Sequence, residues 1–114
     1  GATLYIDRAQ IEQVLINLIK NAKESCGQNT APQIEVELEQ VPGKVCSLTV
    51  RDNGEGILPE VIDKVFVPFF TTKPSGSGIG LSLCKQIMNL HGGTITVSSE
   101  IGKGSCFTLM FPGR

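Results

Sequence analysis

From Ile11 onward, Ile11, Val14, Leu15, Leu18, Ile19 and Ala22 return at intervals of three and four, the spacing of one face of an α-helix. Asp7, with Gln10 three residues on, reads as an N-cap and capping box, and Gly27 is a natural stop. The pattern predicts a helix from about Arg8 to Cys26. The period then changes. Ile34-Glu35-Val36-Glu37-Leu38-Glu39 alternates apolar and acidic residues, as a half-exposed strand does. Pro42-Gly43-Lys44 turns the chain, and Cys46-Ser47-Leu48-Thr49-Val50-Arg51 alternates again, predicting a hairpin. Pro59 introduces a short helix over Glu60 to Val65, and Pro68 to Gly80 reads as a long loop. A second long helix carries Ile79, Leu83, Ile87 and Leu90 on one face and stops at Gly92-Gly93. Strands over Thr94 to Ser98 and Ser105 to Phe111 close the chain, joined by Gly102-Lys103-Gly104.

These elements predict an α+β fold: a two-layer sandwich with helices on one face of a mixed, mostly antiparallel sheet. The chain has 114 residues, enough for one compact domain with a buried core. A formal net charge of -1 offers no basic field to nucleic acid or an anionic membrane surface. No apolar run approaches the ~20 residues that a membrane helix needs. Cys26, Cys46, Cys84 and Cys106 are scattered without a C-x-x-C pair. That spacing favours small core residues in a reducing compartment, the cytosol, over disulfides or a metal site.

Three places break the packing logic. Gln10, Gln13, Asn17, Asn21 and Glu24 fall on one side of the first helix. Such a stripe is either a solvated face or, because two asparagines stand one turn apart, a set of amides for a hard cation or a phosphate. In the second strand, parity puts Asp52 on the apolar face with Cys46, Leu48 and Val50. A carboxylate there is costly unless it finds donors. It either caps the turn Asn53-Gly54-Glu55-Gly56 or reads a flat ligand edge bearing an amino group. Last, Gly76-Ser77-Gly78-Ile79-Gly80-Leu81 runs into a helix, either as a linker or as a cradle of backbone amides for polyphosphate. Lys73 adds a cation to that loop.

Together these segments resemble the catalytic and ATP-binding domain of sensor histidine kinases. That family sits in a superfamily with type II topoisomerases, the mismatch-repair ATPase and a heat-shock chaperone. Asn17 to Ala22 is similar to the family's N box, and Asp52 to Ile57 to its first glycine box. Phe66 to Lys73 resembles the phenylalanine box in the form typical of nitrogen-regulatory sensor kinases, and Gly76 to Leu81 the second glycine box. The ending through Gly102-Lys103-Gly104-Ser105-Cys106-Phe107 follows the family too.

The resemblance implies that residues 1–114 are one domain of a larger receptor. This domain would bind ATP with Mg²⁺ and pass the γ-phosphoryl group to a histidine in a separate dimerisation domain. A response regulator would receive it afterwards, and the full-length protein would be a homodimer with this part in the cytoplasm, whether soluble or membrane-anchored. By the same resemblance Asp52 would accept from the adenine amino group, with Gly54, Gly56, Ile57 and Ser105 around the base. Asn21 would hold Mg²⁺ against the triphosphate, with Asn17 beside it as the second catalytic asparagine. Lys73, Ser77, Gly78, Ile79, Gly80 and Leu81 would line the lid and the phosphates, while Phe66 and Phe69 anchor it.

Two features stand apart from the family pattern. Glu24 occupies a position where many members carry Lys, so Lys20 or Lys73 would take over its phosphate contact. Asn17 stands where hydrolytic relatives carry Glu, and an amide is no general base, which favours transfer over hydrolysis. His91, the only histidine, reads as a helix-end cap rather than the phosphorylated residue. A serine kinase of the anti-sigma type and a scaffold that has lost nucleotide binding are the competing readings. Phe66 to Lys73 argues against the first, and Asn21, Asp52 and the lid glycines against the second.

Overall fold

The computed structural model describes residues 7–27, 30–40, 45–70 and 79–112. Its elements run α1 (Arg8–Ser25), β1 (Ile34–Gln40), β2 (Val45–Asp52), α2 (Pro59–Ile62), α3 (Gly80–Leu90), β3 (Thr94–Glu100) and β4 (Gly104–Pro112). The strands form one sheet in the order β1-β2-β4-β3, and every described pairing is antiparallel. Helices α1 and α3 lie on one face of it, giving the two-layer α+β arrangement that the alternating periods predict. Among the described residues no helix is long and apolar enough to cross a membrane.

The core forms where both helices press on the inner side of β2, β4 and β3. Ile11, Val14, Leu18 and Ala22 of α1 meet Cys84, Ile87 and Met88 of α3 over Val50, Ile95, Phe107 and Leu109. Each fully buried large side chain there contributes about 1.5–3 kcal/mol. The sequence pattern misplaces part of α3. Leu90 is 70% exposed and Ile79 44% exposed, while Cys84 and Met88 take the buried positions. Cys84 and Met88 are apolar enough to fill the core, and their burial turns the packed stripe away from the Ile79–Leu90 line. Burial pushes the Cys84 thiol up to about 11, so it stays a neutral donor, directed at the Val14 carbonyl 3.7 Å away. All four cysteines are free.

Helix α2 is also shorter than the expected span, ending at Ile62 before a series of turns. Pro59 supplies its first residue, but four residues allow only one turn. Strand β1 is one edge of the sheet, and α1 covers it only near Ile34. Val36 and Leu38 share rows with the buried Val50 and with Leu48, yet both are exposed. On the outer face Arg51 lies 3.5 Å from Glu35 and 3.8 Å from Glu37, exposed pairs of small energetic weight.

Asp7 caps α1, its carboxylate accepting from the Gln10 backbone N–H at 3.1 Å. The reciprocal half of the expected capping box is replaced by a tertiary contact. The Asp7 backbone N–H donates to His91 Nε2 at 2.9 Å. A backbone N–H can only donate, so the His91 proton sits on Nδ1, which donates to the Ile87 carbonyl at 2.8 Å. His91 thus ties the start of α1 to the end of α3. Gly92, at φ 71°, then closes α3 in a Schellman turn, with Gly92 and Gly93 N–H donating to the Asn89 and Met88 carbonyls. Replacing His91 with Ala removes both ring hydrogen bonds. We expect a loss of about 1–2 kcal/mol in urea denaturation; an unchanged midpoint would mean that the tie carries no stability.

Candidate functional site

The inner face of the sheet ends in a row unlike the others. Register aligns Ile34, Asp52, Ser105 and Ser99 across it, whereas the next row is Val36, Val50, Phe107 and Val97. Asp52 is 5% exposed and Ser105 4%, the only buried polar or charged side chains among the described residues. The strand parity that predicts a core-side carboxylate therefore holds. Asp52 Oδ1 accepts from the Gly54 backbone N–H at 2.9 Å. No described residue donates to Oδ2, and since no buried side-chain oxygen among the described residues lacks a partner, Oδ2 is the part of the carboxylate that reaches the surface, where a ligand donor can take it.

The segment after Asp52 is clamped from two sides. Glu55 N–H donates to the Ser25 carbonyl at the end of α1 (3.2 Å), and Gly102 N–H donates to the Glu55 carbonyl (3.0 Å). Gly54 lies against the Ser25 backbone, and Gly56, at φ 80°, against the Glu100 carbonyl, so a Cβ at either would collide. These two glycines are required first by the protein's own packing. Asn53 staples the chain on the other side. Its Oδ1 accepts from Gln33 N–H at 2.8 Å, and its Nδ2 donates to the Ala31 carbonyl at 3.0 Å. Ile57 turns back into the core, and its N–H donates to Ser99 Oγ at 2.7 Å.

On α1 the two asparagines are half-buried rather than fully solvated. Asn17 ties the helices together: its Oδ1 accepts from Gln13 Nε2 at 2.8 Å and its Nδ2 donates to the Gly80 carbonyl at 3.3 Å. Its amide also offsets a part of the burial that raises the Cys84 thiol. Asn21 stands one helical turn further along the same face, toward Ser25 and the Asp52 loop. No group of three or more His, Cys, Asp or Glu that could hold a metal occurs among the described residues. The amide oxygens of this face suit a hard cation that brings most of its other ligands with it, as Mg²⁺ on a polyphosphate does.

A family model described as histidine kinase-, DNA gyrase B-, and HSP90-like ATPase matches residues 6–114. The chain belongs to this ATPase family. Sensor histidine kinase ZraS of Escherichia coli (strain K12) is 41% identical over 106 residues, 93% of this chain but 22% of that protein. The chain thus spans about a fifth of such a relative. The catalytic domain of histidine kinase ThkA, in a nucleotide-free crystal form, is 37% identical with a TM-score of 0.83, covering 96% of this chain and 71% of that one. Full-length ShkA in complex with AMPPNP is 26% identical with a TM-score of 0.85, covering 99% of this chain and 23% of that one.

Within this ATPase domain, Asp52, Gly54, Gly56, Ile57 and Ser105 come together at one end of the sheet, with Asn21 on the helix beside them. Ile79 caps the start of α3, Gly80 begins it, and Leu81 packs against the core. Lys73, Ser77 and Gly78 lie outside the described residues. Of the two phenylalanines expected to anchor the lid, Phe66 is seated edge-on to Phe107, with ring centroids 6.3 Å apart and Lys85 Nζ 5.6 Å from its centroid. Phe69 is 74% exposed, at φ 67°, and is not so seated. Shallow grooves of about 420 and 360 Å³ flank α3, lined in part by Phe66, Lys85 and Leu90 and by Gln13, Leu83 and Leu90. Neither contains Asp52, so chemistry and not concavity marks the site.

Sequence reasoning passed over Ser99 and the staple made by Asn53. Ser99 carries the signal that betrays Asp52, a polar residue in phase with the inward Ile95 and Val97. Gly56→Ala should cost about 3 kcal/mol or more in the nucleotide-free domain, read by urea denaturation. Gly80→Ala, where no described atom lies within 4 Å of the new methyl, should be neutral or stabilise by up to about 1 kcal/mol. Equal costs at the two positions would contradict the clamped-loop account.

Proposed function

We propose that this chain binds Mg-ATP and serves as the catalytic domain of a sensor histidine kinase. Its γ-phosphoryl group would pass to a histidine on a dimerisation domain and then to a response regulator. The observation that carries the reading is the buried Asp52, with Oδ1 held by Gly54 N–H and Oδ2 left as an acceptor at the end of an apolar face. A purine with an exocyclic amine supplies the missing donor, while its ring takes the apolar contacts. Membership of the ATPase family and likeness to histidine kinase catalytic domains support the choice of adenine nucleotide.

In this reading Asp52 and Ser105 orient the base, and Gly54, Gly56 and Ile57 hold the loop that shapes its pocket. Asn21 would contribute an amide oxygen to Mg²⁺, which neutralises phosphate charge when bound. Asn17 holds the start of α3, and so the C-terminal end of the segment Lys73 to Leu81, against α1. Lys73, Ser77, Gly78, Ile79 and Gly80 would form the cover over the phosphates, with Leu81 fixing its end against the core. Phosphoryl transfer needs positioning and charge neutralisation more than covalent help from the protein. Asn17 puts an amide, which is no general base, where hydrolytic relatives carry Glu, and this favours an acceptor imidazole over water as the nucleophile. The isolated domain then binds ATP and transfers little.

The finer kinship, to nitrogen-regulatory sensor kinases, rests on the segment Phe66 to Lys73. A homodimeric receptor whose catalytic domain faces the cytoplasm completes the proposal.

Asp52→Asn keeps an acceptor for Gly54 N–H but can turn an amide donor toward the base. Calorimetry with ADP and Mg²⁺ should show affinity falling by about a hundredfold or more, with the circular-dichroism spectrum unchanged. Undiminished binding would remove the assignment of Asp52 to the base. Adding a histidine-bearing dimerisation domain with ATP should yield an acid-labile phosphate; an acid-stable one would favour the serine-kinase reading.

A further inference from the structure

Strand β1 ends the described sheet, with β2 on one side of it and no described strand on the other. Asn53 N–H donates to the Gln33 carbonyl, one step beyond the Ile34–Asp52 pair. Bonded and non-bonded pairs alternate along an antiparallel ladder. The bonded pairs are therefore Glu35–Arg51, Glu37–Thr49 and Glu39–Ser47. Ile34, Val36, Leu38 and Gln40 then turn their backbone N–H and C=O groups outward, toward the open edge. Their side chains lie on the inner face, yet Val36 is 52% exposed and Leu38 67% exposed. The three glutamates stand on the outer face, where Arg51 alone among the described residues answers Glu35 and Glu37.

An edge that repels every neighbour carries an inward charge, a proline or a bulge. β1 has none of these: its seven residues pair with β2 in unbroken register, and its charges all lie on the outer face. β3, at the other end of the strand order, differs. Its Ile95 is buried and its Val97 half-buried, and Thr94, Thr96 and Ser98 carry no charge. An antiparallel second copy with its faces aligned would set glutamate against glutamate on β1, which is repulsive. We propose that β1 is a docking edge for a partner protein, which adds an extended strand of alternating apolar and basic residues. The main chain of that strand takes up the outward N–H and C=O groups of Ile34, Val36, Leu38 and Gln40. Its apolar side chains extend the inner face beside Val36 and Leu38, and its basic ones stand beside Glu35, Glu37 and Glu39.

The probe is a capped peptide in which lysine and valine alternate, titrated into the isotope-labelled 114-residue chain and followed by amide NMR. In the free protein, the Val36 and Leu38 amides should exchange with solvent faster than those of Glu35 and Glu37. Bound peptide should slow Val36 and Leu38 exchange by about tenfold or more. A peptide of the same composition with the alternation scrambled, and one with glutamate replacing lysine, should each bind about tenfold or more weakly. The double variant Glu37→Lys, Glu39→Lys should reverse the preference between the lysine and glutamate peptides. Leu38→Ser should weaken the lysine peptide about tenfold. Equal binding of all three peptides would reduce the effect to non-specific adhesion and overturn the proposal. So would unslowed exchange at Val36 and Leu38, or protection confined to the grooves beside α3. A parent that protects the same amides by self-association, without peptide, would overturn it in favour of a second copy. Should a variant not fold, the exchange pattern of the parent with the three peptides decides alone.

Discussion

A carboxylate buried at the end of an apolar sheet face is the constraint around which this domain is arranged. Three rows of the inner face pack against α1 and α3 as an ordinary core, and the last row replaces apolar side chains with Asp52, Ser105 and Ser99. An unsatisfied charge there would work against folding. The protein supplies one donor, Gly54 N–H, and leaves the second oxygen available. Incomplete satisfaction is a poor device for stability and a good one for recognition, because a ligand that brings the missing donor gains what the fold has left unmade.

The other features of the site keep that carboxylate in place. The loop from Asn53 to Ile57 bonds to the end of α1 through Glu55 and Ser25, to the β3–β4 turn through Gly102, and to β3 through Ser99. Asn53 fastens it to residues 31 and 33. Helix α1 carries both the end that this loop abuts and the face bearing Asn17 and Asn21, so the Asp52 loop and the amide face share one rigid element. Asn17 then reaches Gly80 at the head of α3. In the proposed reading, recognition of a base and handling of a polyphosphate would thus be mounted on the same helix, as positioning chemistry requires.

Much of this was legible in the sequence because it follows from period and parity. The 3.6-residue rhythm of Ile11 to Ala22 and the alternation in Cys46 to Asp52 place both the core and the buried acid without reference to any tertiary contact. What escaped depends on contacts between distant segments. The exposure of Leu90 and the burial of Met88 follow from where α1 meets α3, which no local pattern encodes. His91 was readable as a helix cap, but not as the partner of Asp7 N–H, 84 residues away. The crowding of Gly54 against Ser25 and of Gly56 against Glu100 is likewise invisible in the motif, where those glycines suggest room for a ligand. Ser99 was detectable by parity alone, and its part in holding the loop emerges only when Ile57, Gly104 and Ser105 converge on one oxygen.

The central claim is tested most directly by a crystal structure of this chain with AMPPNP and Mg²⁺. The account predicts the adenine 6-amino nitrogen about 3 Å from Asp52 Oδ2, with Oδ1 still on Gly54 N–H. A base bound elsewhere, or a carboxylate turned away from it, would contradict the account.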